Sequence, residues 1–179
     1  GAKRGRLFSG WAKTEQEKGV YDFTWLDPQV REMAAMGVKP WICLSYGNPV
    51  WGSGRRIGQS LKLITDRPEA FEAWLRYCAA CVARYKDVVD EWEIWNEPFK
   101  EPHAYAELFY RTAKAVRAVQ PHAKCYVTSL GMEVAKEGQA PVEGPYGIVL
   151  EKLRRENALD LASLFIYHPY TPNPDTSYE

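Results

Sequence analysis

Apolar and polar positions along the chain follow two periods. In AFEAWLRYCAACVARY, residues 70–85, apolar side chains recur every three or four residues, the spacing of a helix with one buried stripe. HAYAELFYRTAKAVRAVQP (103–121) repeats that spacing and is closed by Pro121, and DPQVREMAAMG (27–37) is a shorter amphipathic segment with Pro28 in a first helical turn and Gly37 at a C-cap. Short apolar runs fit for strands lie between these segments. The pattern predicts a strand over 4–10, a helix over 27–36 and a strand over 39–46, then a Gly- and Arg-rich loop over 47–66. A helix follows over 68–85, a strand over 90–96, a helix over 103–119, a strand over 124–130, a helix over 144–156 and a strand over 161–167.

Strand–helix alternation with short apolar strands predicts an α/β fold with a parallel sheet and helical crossovers. Five such strands fit a doubly wound open sheet or part of a (β/α)8 barrel. No Gly-rich phosphate loop follows any strand, which counts against a nucleotide-binding sheet. GAKRGRLFSGW (1–11), GVKPWICLSYG (37–47) and HAKCYVTSLG (122–131) share one junction, and a helix precedes the second and third but not the first. Residue 1 is therefore expected at a helix-to-strand junction whose helix lies upstream. A full barrel takes about 250 residues, so a barrel reading of these 179 residues implies further βα units on both sides.

Composition narrows the function classes. The chain is long enough for one domain, and 46% hydrophobic residues supply a core. Lys+Arg and Asp+Glu both number 23, so bulk electrostatics offer nothing to nucleic acid or a membrane surface. No apolar run approaches 18 residues, and no secretory leader is visible. Seven Trp and eleven Tyr suit a cleft that stacks sugar rings, and equally suit a core. Cys78 and Cys81 form a CxxC inside a helical pattern, without a second CxxC or a nearby His; with Cys43 and Cys125 they are expected to be structural. His103, His122 and His168 are scattered over separate elements and form no metal motif, so neither metal nor cofactor is expected.

In parallel α/β folds the reacting groups gather at the C-terminal ends of strands. Those ends carry Ser9, Gly10 and Trp11; Ser45, Tyr46, Gly47 and Asn48; Trp95, Asn96 and Glu97; Thr128, Ser129 and Glu133; and Tyr167, His168 and Tyr170. The opposite ends carry Lys3, Lys39 and Lys124, a solvated rim. EIWNEP (93–98) concentrates the chemistry. A carboxyl in a cleft with aromatic walls is poorly solvated, which raises its pKa and lets it act as a general acid. The adjacent Asn96 offers a donor and an acceptor to a substrate hydroxyl, and Pro98 ends the strand and restricts the backbone at Glu97. Glycosidic cleavage suits this pair; a surface carboxylate with an asparagine turn fits the spacing equally.

At these residues the chain resembles the clan A glycoside hydrolases, the retaining (β/α)8 glycosidases, in which WNEP closes the fourth strand and carries the acid/base. GWAKTEQEKGVYDFTWLD (10–27), PWICLSYGNP (40–49) and FIYHPYTPNP (165–174) resemble stretches of the same enzymes in the expected order, with a flavour nearest family 39. The resemblance implies a partial barrel, strands two to six, acting on a β-linked sugar or glycan. It makes Glu97 the acid/base and gives Asn96 the 2-hydroxyl. It sets His168 and Tyr170 beside the reacting sugar, and it matches Arg6 to an arginine that contacts the nucleophile. Trp11, Tyr46, Asn48 and Trp51 fit subsite walls and fit core or loop packing equally. The family's nucleophile closes strand seven, and no strand seven can be placed here. Glu179 follows His168 too closely, and Asp175 and Glu133 match no nucleophile position. A carbohydrate-binding barrel without catalysis is the rival reading. The cut edges of either are expected to pair edge-to-edge or support oligomeric contacts.

Overall fold

The computed structural model describes residues 1–54, 60–131 and 144–168. Strands β1 (Arg4–Phe8), β2 (Lys39–Leu44), β3 (Glu91–Ile94), β4 (Lys124–Val127) and β5 (Ala162–Phe165) form one parallel sheet in the order β1-β2-β3-β4-β5. The helices are α1 (Trp11–Thr14), α2 (Asp27–Ala35), α3 (Lys62–Thr65), α4 (Pro68–Tyr85), α5 (Pro102–Val119) and α6 (Pro145–Arg155). Each strand pairs with its successor, and the order never reverses. A doubly wound sheet reverses at its switch point; an unbroken sequential order is that of part of a (β/α)8 barrel.

The two faces of the sheet have opposite chemistry, because side chains alternate along each strand. Register aligns Ile42, Trp92 and Cys125 in one row and Leu44, Ile94 and Val127 in the next. All six are buried in the apolar core with Phe71, Trp74, Cys78, Tyr105 and Phe109 of α4 and α5. The other face carries Arg4 and Arg6, Lys39 and Trp41, Glu91 and Glu93, and Tyr126, and it is laced by ion pairs and hydrogen bonds.

Helix starts follow local chemistry. Proline stands in the first turn of α2, α4, α5 and α6, where its missing N–H removes no helical bond. Gly37, just past α2, has φ 74°, the left-handed conformation expected of a glycine C-cap. All four cysteines are buried free thiols; burial pushes the pKa of Cys78 and Cys81 well up and that of Cys125 to about 12. No helix of the described residues is long and apolar enough to cross a membrane.

The strands end two or three residues earlier than the pattern suggested, and neither α1 nor α3, which lies inside the loop expected over 47–66, was anticipated. The residues after each strand leave the ladder and make bonds to side chains and neighbouring loops, and it is there that the site is built.

Candidate active site

The turn after β3 is held from three sides. Trp95 N–H donates to Leu44 O at 2.9 Å, extending the ladder by one bond, and its carbonyl accepts from Cys43 Sγ at 3.2 Å. The Trp95 ring meets Tyr46 and Trp74 edge-on, at centroid distances of 5.8 and 5.5 Å. Beneath it the Tyr105 hydroxyl donates to Ile94 O and accepts from Thr128 N–H, both at 2.9 Å, pinning the ends of β3 and β4 together.

Within this frame the backbone takes an unusual course. Trp95 has φ 65° and Glu97 φ 53°, left-handed values that cost a bulky residue about 1–3 kcal/mol each. A residue before proline ordinarily takes extended backbone, and Glu97 before Pro98 does not. Trp95 and Glu97 bracket Asn96 in the turn that follows β3.

Glu97 Oε1 lies 2.8 Å from His168 Nδ1, and the two side chains are 13% and 19% exposed. His168 comes from the segment after β5, fixed by its N–H to Ser129 Oγ at 3.2 Å and by Ile166 N–H to Val127 O at 2.8 Å. Residues 71 positions apart thus meet at the C-terminal ends of β3 and β5. Tyr170, the other residue expected beside them, and the carboxylates Glu133, Asp175 and Glu179 lie outside the described residues.

Asn96, 5% exposed, is tied to the opposite side of the site. Its Oδ1 accepts from Arg6 Nη2 at 2.7 Å. Arg6 in turn grips the fully buried Glu93, donating Nε to Oε2 at 2.6 Å and Nη2 to Oε1 at 2.7 Å. Thr128 Oγ1 and Trp41 Nε1 also donate to Glu93, at 2.8 and 3.2 Å. Burial acts to lower the Arg6 pKa, but the Glu93 bond and charge outweigh it and the net shift is upward. Arg6 also lies 4.6 Å over the Phe8 ring, whose other neighbour is Tyr46 at 5.8 Å. The structure therefore gathers Arg6, Tyr46, Asn96, Glu97 and His168.

Three expected subsite walls do other work. Trp11 is fully buried, stacked on Tyr77 at 5.7 Å, and its Nε1 donates to Glu15 Oε2 at 2.5 Å. Trp51, 9% exposed, donates Nε1 to Glu15 Oε1 at 3.0 Å. Asn48, 1% exposed, accepts from Val50 N–H at 3.1 Å and donates Nδ2 to the Glu15 carbonyl at 2.7 Å. These contacts join the loop after β1 to the loop after β2.

Three buried carboxylates, Glu15, Glu91 and Glu93, were not singled out from the sequence. Glu93 had a visible signal: Glu91 and Glu93 alternate with Trp92 and Ile94 at strand period, setting two acids on one face of an otherwise apolar strand. Glu15 had none, because KTEQEKG reads as a polar loop.

Known proteins similar to this chain include glycoside hydrolases. No family model matches the chain. It is 29% identical over 140 residues to endo-1,4-beta-xylanase C of Phanerodontia chrysosporium, an alignment covering 70% of this chain and 33% of that protein. In fold it is similar to a family 39 glycoside hydrolase from Bacteroides cellulosilyticus, with a TM-score of 0.71, 23% identity and coverage of 96% of this chain and 34% of the other. The family 39 beta-xylosidase of Caulobacter crescentus gives 0.60, 20%, 92% and 39% for the same measures. The chain spans about a third of the length of the curated relatives it matches first. Its likeness is to glycoside hydrolases, family 39 among them, in partial coverage.

Proposed function

We propose that this chain is the central portion, strands two to six, of a barrel that hydrolyses β-linked glycosides with retention, Glu97 acting as general acid and then general base. The observation that carries the reading is the Glu97–His168 pair at the ends of β3 and β5. The relatives' names, a xylanase and a xylosidase, make β-xylosides the first substrates to test.

The mechanism is double displacement. Glu97 gives its proton to the leaving oxygen as a carboxylate nucleophile attacks the anomeric carbon and the glycosidic C–O bond breaks. Glu97, now ionised, takes a proton from the water that attacks the same carbon and releases the nucleophile. When His168 presents Nδ1–H, Glu97 Oε1 is an acceptor, so the transferable proton resides on Oε2. The nucleophile is expected to be a glutamate on a segment downstream of residue 179, its carboxyl about 5–5.5 Å from Glu97.

Glu97→Ala in the full-length protein tests this. An alkyl leaving group needs the proton, so turnover of an alkyl or natural glycoside falls about 10²–10⁴-fold. Formation of the glycosyl-enzyme from a dinitrophenyl glycoside is much less affected, and its breakdown becomes limiting. Azide, which needs no deprotonation, then restores turnover and yields the β-glycosyl azide. Equal losses on both substrates without azide rescue overturn the assignment.

A further inference from the structure

We propose that Glu93 is a positioning residue for the sugar contact of Asn96: by clamping Arg6 it fixes the Asn96 amide with its nitrogen toward the substrate. This rests on the glycosidase reading above and adds to it the residue that sets the direction of a hydrogen bond.

Glu93 is fully buried and accepts from Arg6 twice, from Thr128 and from Trp41. A buried carboxylate persists only when its oxygens are saturated in this way. Core filling alone does not call for it, because well-packed apolar residues of similar volume commonly replace a buried ion pair at no loss of stability. The clamp has a further consequence. Arg6 Nη2 is shared between Glu93 Oε1 and Asn96 Oδ1, each at 2.7 Å. A guanidinium has donors only, so the Asn96 atom facing it is the oxygen. The two N–H bonds of the amide then point away from Arg6, and Asn96 meets a sugar hydroxyl as a donor to its oxygen. With Arg6 released, the amide can rotate by half a turn and offer its carbonyl, which asks the hydroxyl for its proton instead.

Glu93→Gln in the full-length protein keeps the volume and breaks the clamp. Its kcat/KM is compared with wild type on a nitrophenyl β-xyloside and on the 2-deoxy analogue, which lacks the hydroxyl assigned to Asn96. Losing one well-placed hydrogen bond to the transition state is worth about 10- to 100-fold, and that fall is expected on the parent substrate. On the 2-deoxy substrate the same variant should change by no more than about threefold. Glu93→Asp, which keeps the charge, should recover part of the loss. Where Glu93→Gln fails to fold, Thr128→Val removes one of the bonds that hold Glu93 and shows the same substrate dependence with a smaller fall. Equal falls on both substrates, or none on either, overturn the positioning role and leave the glycosidase reading intact. A wild-type protein inactive on every β-glycoside removes both.

Discussion

Tyr46 holds its ring between Phe8 and Trp95, and its buried hydroxyl, beside the Asn96 side chain, completes no hydrogen bond of ordinary geometry among the described residues. Burial, first, pushes its pKa up, so the group is a neutral phenol. Tyr46→Phe keeps both ring contacts and removes the hydroxyl. Thermal melts of the full-length variant should match wild type or rise, by up to about 1 kcal/mol. A fall larger than that would mean the hydroxyl has a structural partner. At this scale the sequence was informative where chemistry is local. Asn96 and Glu97 stand side by side after an apolar run, a pairing that fits a site and a surface turn equally until the fold sets Glu97 beside His168. Glu93 begins the same six-letter stretch, but its meaning depends on Arg6, 87 positions away, and on strand register that no local pattern encodes. Trp11 shows the converse: a tryptophan at a strand end has the composition of a sugar platform, and only the packing of Tyr77 and Glu15 around it makes it core.

Helices were legible because proline and a repeating apolar stripe mark both their start and their buried face. α4 begins at Pro68 and ends at Tyr85, the bounds the pattern suggested. α1 was not legible because four residues carry no period. It is held by tertiary bonds, Thr14 Oγ1 to Ser9 O and Asp22 N–H to Thr14 O. Elements are also joined by charge. Asp27 at the start of α2 accepts from Arg84 and from Tyr85 of α4, and the Arg84 bond, first, holds its pKa below the ordinary carboxylate value. A carboxylate with a depressed folded pKa stabilises the fold above its unfolded pKa and loses that contribution as pH falls through the folded value. Asp27→Asn is therefore expected to be less stable at neutral pH, by about 1 kcal/mol. Denaturant melts repeated toward acid should show the gap to wild type closing. A gap that stays constant into strong acid would assign the loss to packing instead of charge.

For the whole molecule, the order of strands was legible in outline and the closure of the sheet was not. Periodicity gave five strands and four long helices, but both a doubly wound sheet and a barrel segment fitted them until pairing showed no reversal. β1 and β5 border the described sheet. On β5, Leu164 and Phe165 are 50% and 38% exposed though they point to opposite faces, and Phe8 on β1 is 40% exposed. Bordering strands with apolar side chains recruit partners. The 179 residues made alone are expected to self-associate or to be poorly soluble. Sedimentation velocity decides this, since a single monomeric boundary with a cooperative melt would show that the edges need no cover.

The Glu15 carboxylate has a consequence for how such barrels can be recombined. It collects the indoles of Trp11 and Trp51 and the Gly19 N–H, while Asn48 binds its carbonyl, so the segments following β1 and β2 share one buried charge. A chimaera with its crossover between those segments would keep Glu15 with Trp11 and Gly19 from one parent and leave it to find its remaining partners, the Trp51 indole and the Asn48 amide, on the other. The two loops are thus a single unit of inheritance, and viable hybrids should carry them together.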